Sequence, residues 1–349
     1  MKYFRILLSI GLIAWLSAFS VYHLNAEIYK WKDADGNWHF SDAPNDIPED
    51  SVRFGEIESP PEPEPPLSPG SESEQPISAT ANEAGLFWRV EKPGIRPNFL
   101  LGTIHVEDPR VLGMLIQVEN PLASSKTFIM EAVLDQNALI KMSTAMVYTD
   151  GRTLRSVIGE PLFSKVANAA AQYGIGDFAL NKMKPWAAFS ILSVPKPKTG
   201  AFMDMVLYNK AKSQGKSVVG LETPEEQLAV FESMSERDQI ILLEEIVNQI
   251  SDLPTMFDRL IQAYLSGDLN RVTRIATDSM KSFRHQALVK RLMFRLNDQR
   301  NRKMVRRVEP YLSQGGAFVA VGALHLPGQS GLLNLLKQKG FRLSALKFP

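Results

Sequence analysis

The chain has 349 residues, a formal net charge of +1 and no cysteine. That length allows one large or two modest domains. The near-zero charge provides no global field toward nucleic acid, and the missing thiol excludes disulfides, thiolate metal sites and a cysteine nucleophile.

Lys2 and Arg5 form a short basic start, followed by an apolar run from Ile6 to Tyr22 and then His23-Leu24-Asn25-Ala26. A basic start, an apolar core and a small residue at its end make a secretory signal, so residues 1–26 read as an export signal cut after Ala26. Retention as an N-terminal anchor is the alternative. Either way the body lies outside the cytoplasmic membrane, in the periplasm or cell envelope, and no later segment is long and apolar enough to cross a bilayer.

Residues 27–54 form a second unit. Tyr29 and Trp31 alternate with polar residues, as do Trp38 and Phe40, with Asp35-Gly36 between them. This predicts a small two-stranded hairpin. The pattern resembles a short domain of unknown function found at the mature N-terminus of bacterial envelope proteins. His39 reads as a half-exposed strand residue. Residues 55–83 carry seven glutamates, a run of prolines and no lysine or arginine. Such a stretch buries too little apolar area to fold and reads as an extended, solvated spacer.

The body, residues 84–349, alternates strands and helices. Strands are expected at Phe87–Val90, Asn98–Leu101, Lys126–Met130, Ser217–Leu221, Ala317–Val321 and Arg342–Lys347. Helical periods fill 137–147, 159–173, 184–194, 204–214, 224–250, 255–265, 268–278, 283–312 and 330–339. Gly215 and Gly340 close helices just before strands. The fold class is α/β or α+β: a mixed central sheet with a helix-rich middle insertion, preceded by a small β-hairpin module.

One pattern occurs near both ends of the body. Phe99-Leu100-Leu101-Gly102-Thr103-Ile104-His105 and Phe318-Val319-Ala320-Val321-Gly322-Ala323-Leu324-His325 are each an apolar strand, a glycine, two residues and a histidine. Two further strands finish in Glu131 and Glu222. Ligands of open α/β sheets sit beyond the carboxyl ends of the strands, so the four residues are expected at one sheet edge. Two imidazoles and a carboxylate suit a divalent metal, and a second glutamate suits a general base. His105, Glu131 and His325 are the candidate metal ligands. Glu131, Glu222 and Arg300 are the candidate catalytic residues. Arg300 continues the apolar stripe of Leu292, Leu296 and Met304, and an arginine on a core-facing stripe needs a carboxylate or a cleft.

The simpler readings are loop residues after strands, a solvated arginine, and for Glu222 a place beside the capping box of Thr223-Pro224-Glu225-Glu226. Ten lysines and arginines against Asp298 in residues 281–307 read as a solvated helix face, with docking on a membrane surface as the alternative. Trp186, after Lys184-Pro185, reads as a core residue at a helix start. The stripe Ile240, Leu243, Val247, Ile250 reads as a core-facing side.

Taken in order, Gly-Thr-Ile-His, Phe-Ile-Met-Glu, Lys184-Pro185-Trp186, Gly220-Leu221-Glu222-Thr223 with Gln227, Arg300-Asn301 and Val-Gly-Ala-Leu-His-Leu-Pro-Gly resemble the TraB/GumN/Tiki family over residues 84–347. The resemblance matches its motifs onto His105, Glu131, Arg300 and His325. It implies a metal-dependent hydrolase using manganese or cobalt, with zinc also suited to the donor set, acting on a peptide or protein as the Tiki metalloproteases do, and a fold like the erythromycin esterase and ChaN-like proteins. A non-catalytic envelope protein that sequesters a peptide or ligand is the alternative.

Overall fold

The computed structural model describes the strands Tyr29–Lys32, Trp38–Ser41 and Val52–Arg53, and residues 85–133, 136–196 and 202–348. The expected signal, the Asp35-Gly36 turn, the side chain of His39 and the spacer lie outside the described residues. β1 (Tyr29–Lys32) pairs antiparallel with β2 (Trp38–Ser41), as the alternation demands. A short β3 (Val52–Arg53) joins the other side of β1, so the unit is three-stranded rather than a simple hairpin.

The body is built on a six-stranded sheet. Its strands are β4 (Phe87–Glu91), β5 (Asn98–Thr103), β6 (Thr127–Ala132), β7 (Ser217–Glu222), β8 (Ala317–Gly322) and β9 (Arg342–Leu346). Their order is β7-β6-β8-β5-β4-β9. The first four are mutually parallel; β4 runs antiparallel to β5, and β9 antiparallel to β4. The sheet is therefore mixed, and the fold is α+β.

The penultimate strand lies at its centre. β8 is buried at every position and reads as a continuous apolar run, as a strand covered on both faces must. β5 and β8 pair with Thr103 opposite Gly322, so the two glycine-histidine motifs leave the sheet side by side. Asn98, fully buried, pins this register. Its Nδ2 donates to Leu312 O at 3.0 Å and Val90 O at 3.3 Å, while its Oδ1 accepts from Ala317 N at 3.0 Å. Phe87, Phe99, Phe318 and Phe128 form an aromatic ladder across four neighbouring strands, with successive centroids 5.9, 6.4 and 6.2 Å apart.

Helices fill the long spaces between strands, with differences from expectation that have local causes. The stretch 224–250 is two helices, Pro224–Glu232 and Glu236–Asn248. Ser235 starts the second, its side chain accepting from Asp238 N at 3.1 Å. Its buried side is Leu242, Leu243, Ile246 and Val247, turned from the expected stripe, with Ile240 and Ile250 only half-buried. Short helices at Pro109–Gly113, Glu119–Ser124, Leu154–Ile158 and Asp177–Lys182 had no periodic signal because each spans under two turns. Trp186 is buried and stacks on Phe231 at 5.8 Å.

The stretch 283–312 is helix Gln286–Met293, a π-helical segment Phe294–Gln299 and helix Arg300–Gln314. Its buried stripe is Leu292, Leu296, Arg300, Met304, Val308 and Leu312, a strict step of four. Such a stripe drifts by ~40° per step around an α-helix. The wider π turns undo part of that drift and keep Arg300 facing the sheet.

Candidate functional site

The site gathers at the carboxyl edge of the four parallel strands. Glu131 lies within β6 rather than after it, because the strand runs on to Ala132. Glu222 is the last residue of β7, and His325 ends a 3-10 turn, Ala323–His325, that leaves β8. His105 stands two residues past β5. His105, Glu131, Glu222, Arg300 and His325 are all more than nine-tenths buried.

The glycine before each histidine has a packing reason. A Cβ on Gly102 would lie 2.7 Å from Leu326 Cδ1 and 3.0 Å from Ala323 Cα, so its missing side chain admits the second motif. The Gly322 amide donates to Glu131 Oε1 at 2.7 Å.

Arg300 is held by both acids. Its Nε and Nη2 donate to Glu222 Oε2 at 2.8 and 2.7 Å, Nη2 donates to Glu131 Oε2 at 2.5 Å, and Nη1 donates to Leu296 O at 3.3 Å. Burial opposes the arginine's charge, but the two carboxylates outweigh it and raise its pKa. Burial likewise pushes Glu131 up; His325, Arg300 and the Gly322 amide outweigh it and hold the carboxyl well below its ordinary value. Glu222 therefore anchors the guanidinium. The capping box beside it is made by Thr223 and Glu226 instead.

His325 has a defined tautomer. Asn301 Nδ2 donates to Ser330 O at 2.9 Å, which makes Asn301 Oδ1 an acceptor, and His325 Nδ1 lies 2.6 Å from it. Nδ1 then carries the proton and Nε2 a bare lone pair. Burial lowers the imidazole pKa to about 4 against the pull of Glu131, so the ring is neutral near pH 7. Nε2 has no hydrogen-bond partner and stands 3.5 Å from Glu131 Oε1.

His105 has a different acid. Its Nε2 lies 3.1 Å from Asp204 Oδ2 without hydrogen-bond alignment, and Thr103 Oγ1 donates to Asp204 Oδ1 at 2.9 Å. Burial lowers the His105 pKa, yet the Asp204 charge outweighs it and the net shift is upward. Phe202 stacks on the imidazole at 4.9 Å, and Tyr264 OH donates to Gly102 O at 2.6 Å behind it. Asp204, 2% exposed, was not picked out in the sequence because an acid in a helix's first turn is ordinary. Its signal was an acid inside the apolar run Phe202-Met203-Asp204-Met205-Val206-Leu207.

The structure thus places two histidine–carboxylate pairs at one edge, His325 with Glu131 and His105 with Asp204. Nε2 of His325, both nitrogens of His105 and Asp204 Oδ2 are buried and without hydrogen-bond partners, and imidazole and carboxylate are donor types that suit a divalent cation. Among the described residues, no three histidine or acidic side chains close into one ligand cluster. His105 also borders a cleft of about 530 Å³ that opens between the exit of β5 and the helix Leu253–Leu265.

At least half of the basic stretch is matched by acids, Arg300 included. Arg291 approaches Asp238 at 3.6 Å, and Lys303 and Arg307 pair with Glu226 at 3.1 and 2.5 Å. Lys281 pairs with Asp278 at 2.9 Å. His285 Nδ1 lies 3.1 Å from the buried Glu245.

A mixed sheet with glycine-histidine motifs on adjacent central strands, facing strand-borne glutamates and a buried arginine, defines a protein with an ionisable centre at its carboxyl edge. Residues 86–345 match the TraB/PrgY/gumN family, and the chain belongs to it. Residues 15–77 match a domain of unknown function, DUF4124. The chain is similar to "Metalloprotease TIKI2" of Danio rerio, 22% identical over 317 residues, covering 73% of this chain and 60% of that protein. It is also similar to "Metalloprotease TIKI homolog" of Amphimedon queenslandica, 21% identical over 338 residues, covering 80% of this chain and 65% of that one. The chain therefore spans less than two thirds of the length of these relatives. No solved structure matches it.

Proposed function

We propose that the protein is a metal-dependent hydrolase of the cell envelope that cleaves a peptide bond. The observation that carries this reading is the pair of buried imidazoles with unpartnered nitrogens, each beside a carboxylate and one bordering a cleft. His105 and His325 would hold the cation with Glu131, and Asp204 is a further donor on the His105 side. Manganese, cobalt and zinc all accept nitrogen and oxygen donors of this kind. Such an ion, when bound, polarises a carbonyl and lowers the pKa of a bound water to ~7.

The chain's own residues have separable tasks. Asn301 fixes the His325 tautomer so that a lone pair faces Glu131. Glu222 anchors Arg300, and Arg300 keeps Glu131 ionised in a buried place. Asp204 holds the His105 ring from the side of helix Met203–Ser213. The names of the similar metalloproteases support a protein substrate. The basic start and apolar run of residues 1–26 support export. Docking on anionic lipid has less support, since acids within the chain already pair several of the basic residues.

Metal content by elemental analysis and cleavage of a quenched-fluorescent peptide library test the reading together. Wild type should carry about one equivalent of a divalent metal and cleave, and His105→Ala and His325→Ala should lose both. Equally negligible metal in all three, with no cleavage under added manganese, cobalt or zinc, would sink it. One feature favours a peptide-sequestering protein instead. Each Glu131 oxygen already accepts a hydrogen bond, from the Gly322 amide or from Arg300, and against burial these contacts, with His325, hold its pKa well below the ordinary value, which makes it a weak base. Saturable peptide binding without turnover would select that reading.

A further inference from the structure

The cleft beside His105 has a composition that names what enters it. Tyr173, Val194, Phe202, Leu253, Phe257 and Ile261 form its walls, and each is more than nine-tenths buried. The one hydroxyl among them is spent: Tyr173 OH donates to Val194 O at 2.6 Å, so the tyrosine offers the cleft its ring. Phe202 is shared, lining the cleft while its ring lies against His105. Charged groups line it too: Lys196 and Asp258 are exposed, and Glu107 and Asp108 are half-buried, Asp108 bridged by Arg110 at 2.6 Å. A cleft of about 530 Å³ falls within the range of dedicated ligand sites, ~300–1,000 Å³. The buried apolar walls favour desolvating an apolar group over burying a charged one.

We propose that this cleft is a specificity subsite that takes a large apolar side chain of the peptide, such as Phe, Leu or Met, and so sets the peptide against His105. The occupant is committed by continuity: the buried apolar side chains of the cleft, Phe202 among them, run up to an imidazole of the candidate site. The inference rests on the peptide reading above, but its test is binding rather than turnover.

Labelled heptapeptides of glycine and serine with Phe, Leu, Gly or Asp at the centre would be titrated into the full chain with EDTA present and followed by fluorescence anisotropy. The Phe and Leu peptides should bind at least ~10-fold more tightly than the Gly and Asp peptides. Ile250→Asp, at a half-buried position of the lining, should abolish that preference. Ile261→Phe should fill the cleft and weaken the Phe peptide while changing the Gly peptide little. Circular dichroism and melting temperature of both variants separate loss of fold from loss of the subsite. Equal affinity for all four peptides, or a preference that survives both substitutions in folded protein, overturns the subsite. Selective binding with no cleavage under any added metal sinks the hydrolase reading and leaves the subsite standing; cleavage without side-chain preference does the reverse.

Discussion

Arg300 illustrates how much one residue type in an unusual place can say. An arginine on a core-facing stripe required a carboxylate, and it has two, Glu131 and Glu222, all three being at least 94% buried. Replacing Arg300 by Met strands two buried charges, and stability should fall by about 3–5 kcal/mol in urea denaturation. Adding Glu131→Gln and Glu222→Gln should recover much of that loss; no recovery would mean that the cost lies in packing. Asn301 is a quieter neighbour, which the sequence motif included without stating a role. Asn301→Leu removes the acceptor that sets the His325 tautomer and should weaken manganese or cobalt binding by about 10–100-fold in titration calorimetry. Unchanged affinity would show that the ring is oriented by other contacts. Asp204 escaped the sequence reading because burial, not residue type, makes it unusual.

At the scale of elements, local rules explain where strands and helices lie but not how they lock. Gly102 lets Ala323 and Leu326 of the second motif come close. Gly102→Ala should therefore destabilise by about 1–3 kcal/mol in spite of its small volume, and a neutral effect would contradict that packing. Glu226 ties the start of its own helix to the helix Arg300–Gln314. It receives the Thr223 amide at 3.0 Å as a cap, and pairs with Arg307 and Lys303 of the helix Arg300–Gln314. Arg307 above all holds its pKa down to about 2, against burial, from an ordinary 4.5. A carboxylate depressed in the folded state contributes stability that is complete above pH ~4.5 and is lost as pH falls toward 2. Glu226→Gln should thus lower the melting temperature at pH 7 and make its decline between pH 4.5 and 2 shallower than in wild type. Parallel curves would show that the clamp is not coupled to folding. The π turns of Phe294–Gln299 belong to this scale too: they offset part of the drift of a step-of-four stripe, although the pattern alone read as one continuous helix.

Across the whole molecule, the decisive arrangement is the insertion of β8 between β5 and β6. It sets the two glycine-histidine motifs on adjacent strands and puts Glu131 on the next one, although they arise far apart along the chain. The sheet and its covering helices all come from residues 86–348, so a chain lacking residues 27–83 should keep its melting temperature and metal content. Loss of either would make the amino-terminal unit part of the body rather than a positioning module.

The amino-acid order by itself determined the alternation of strands with helices and the strands at or near whose carboxyl ends His, Glu and Glu stand, because hydrophobic period, glycine placement and turn chemistry act over a few residues. Only the tertiary structure decided which acid each histidine meets. His105 finds Asp204 on a helix and His325 finds Glu131 on a strand. Those partners depend on strand order, on the register pinned by Asn98 and on desolvation within a closed core, none of which is written in any local stretch of residues.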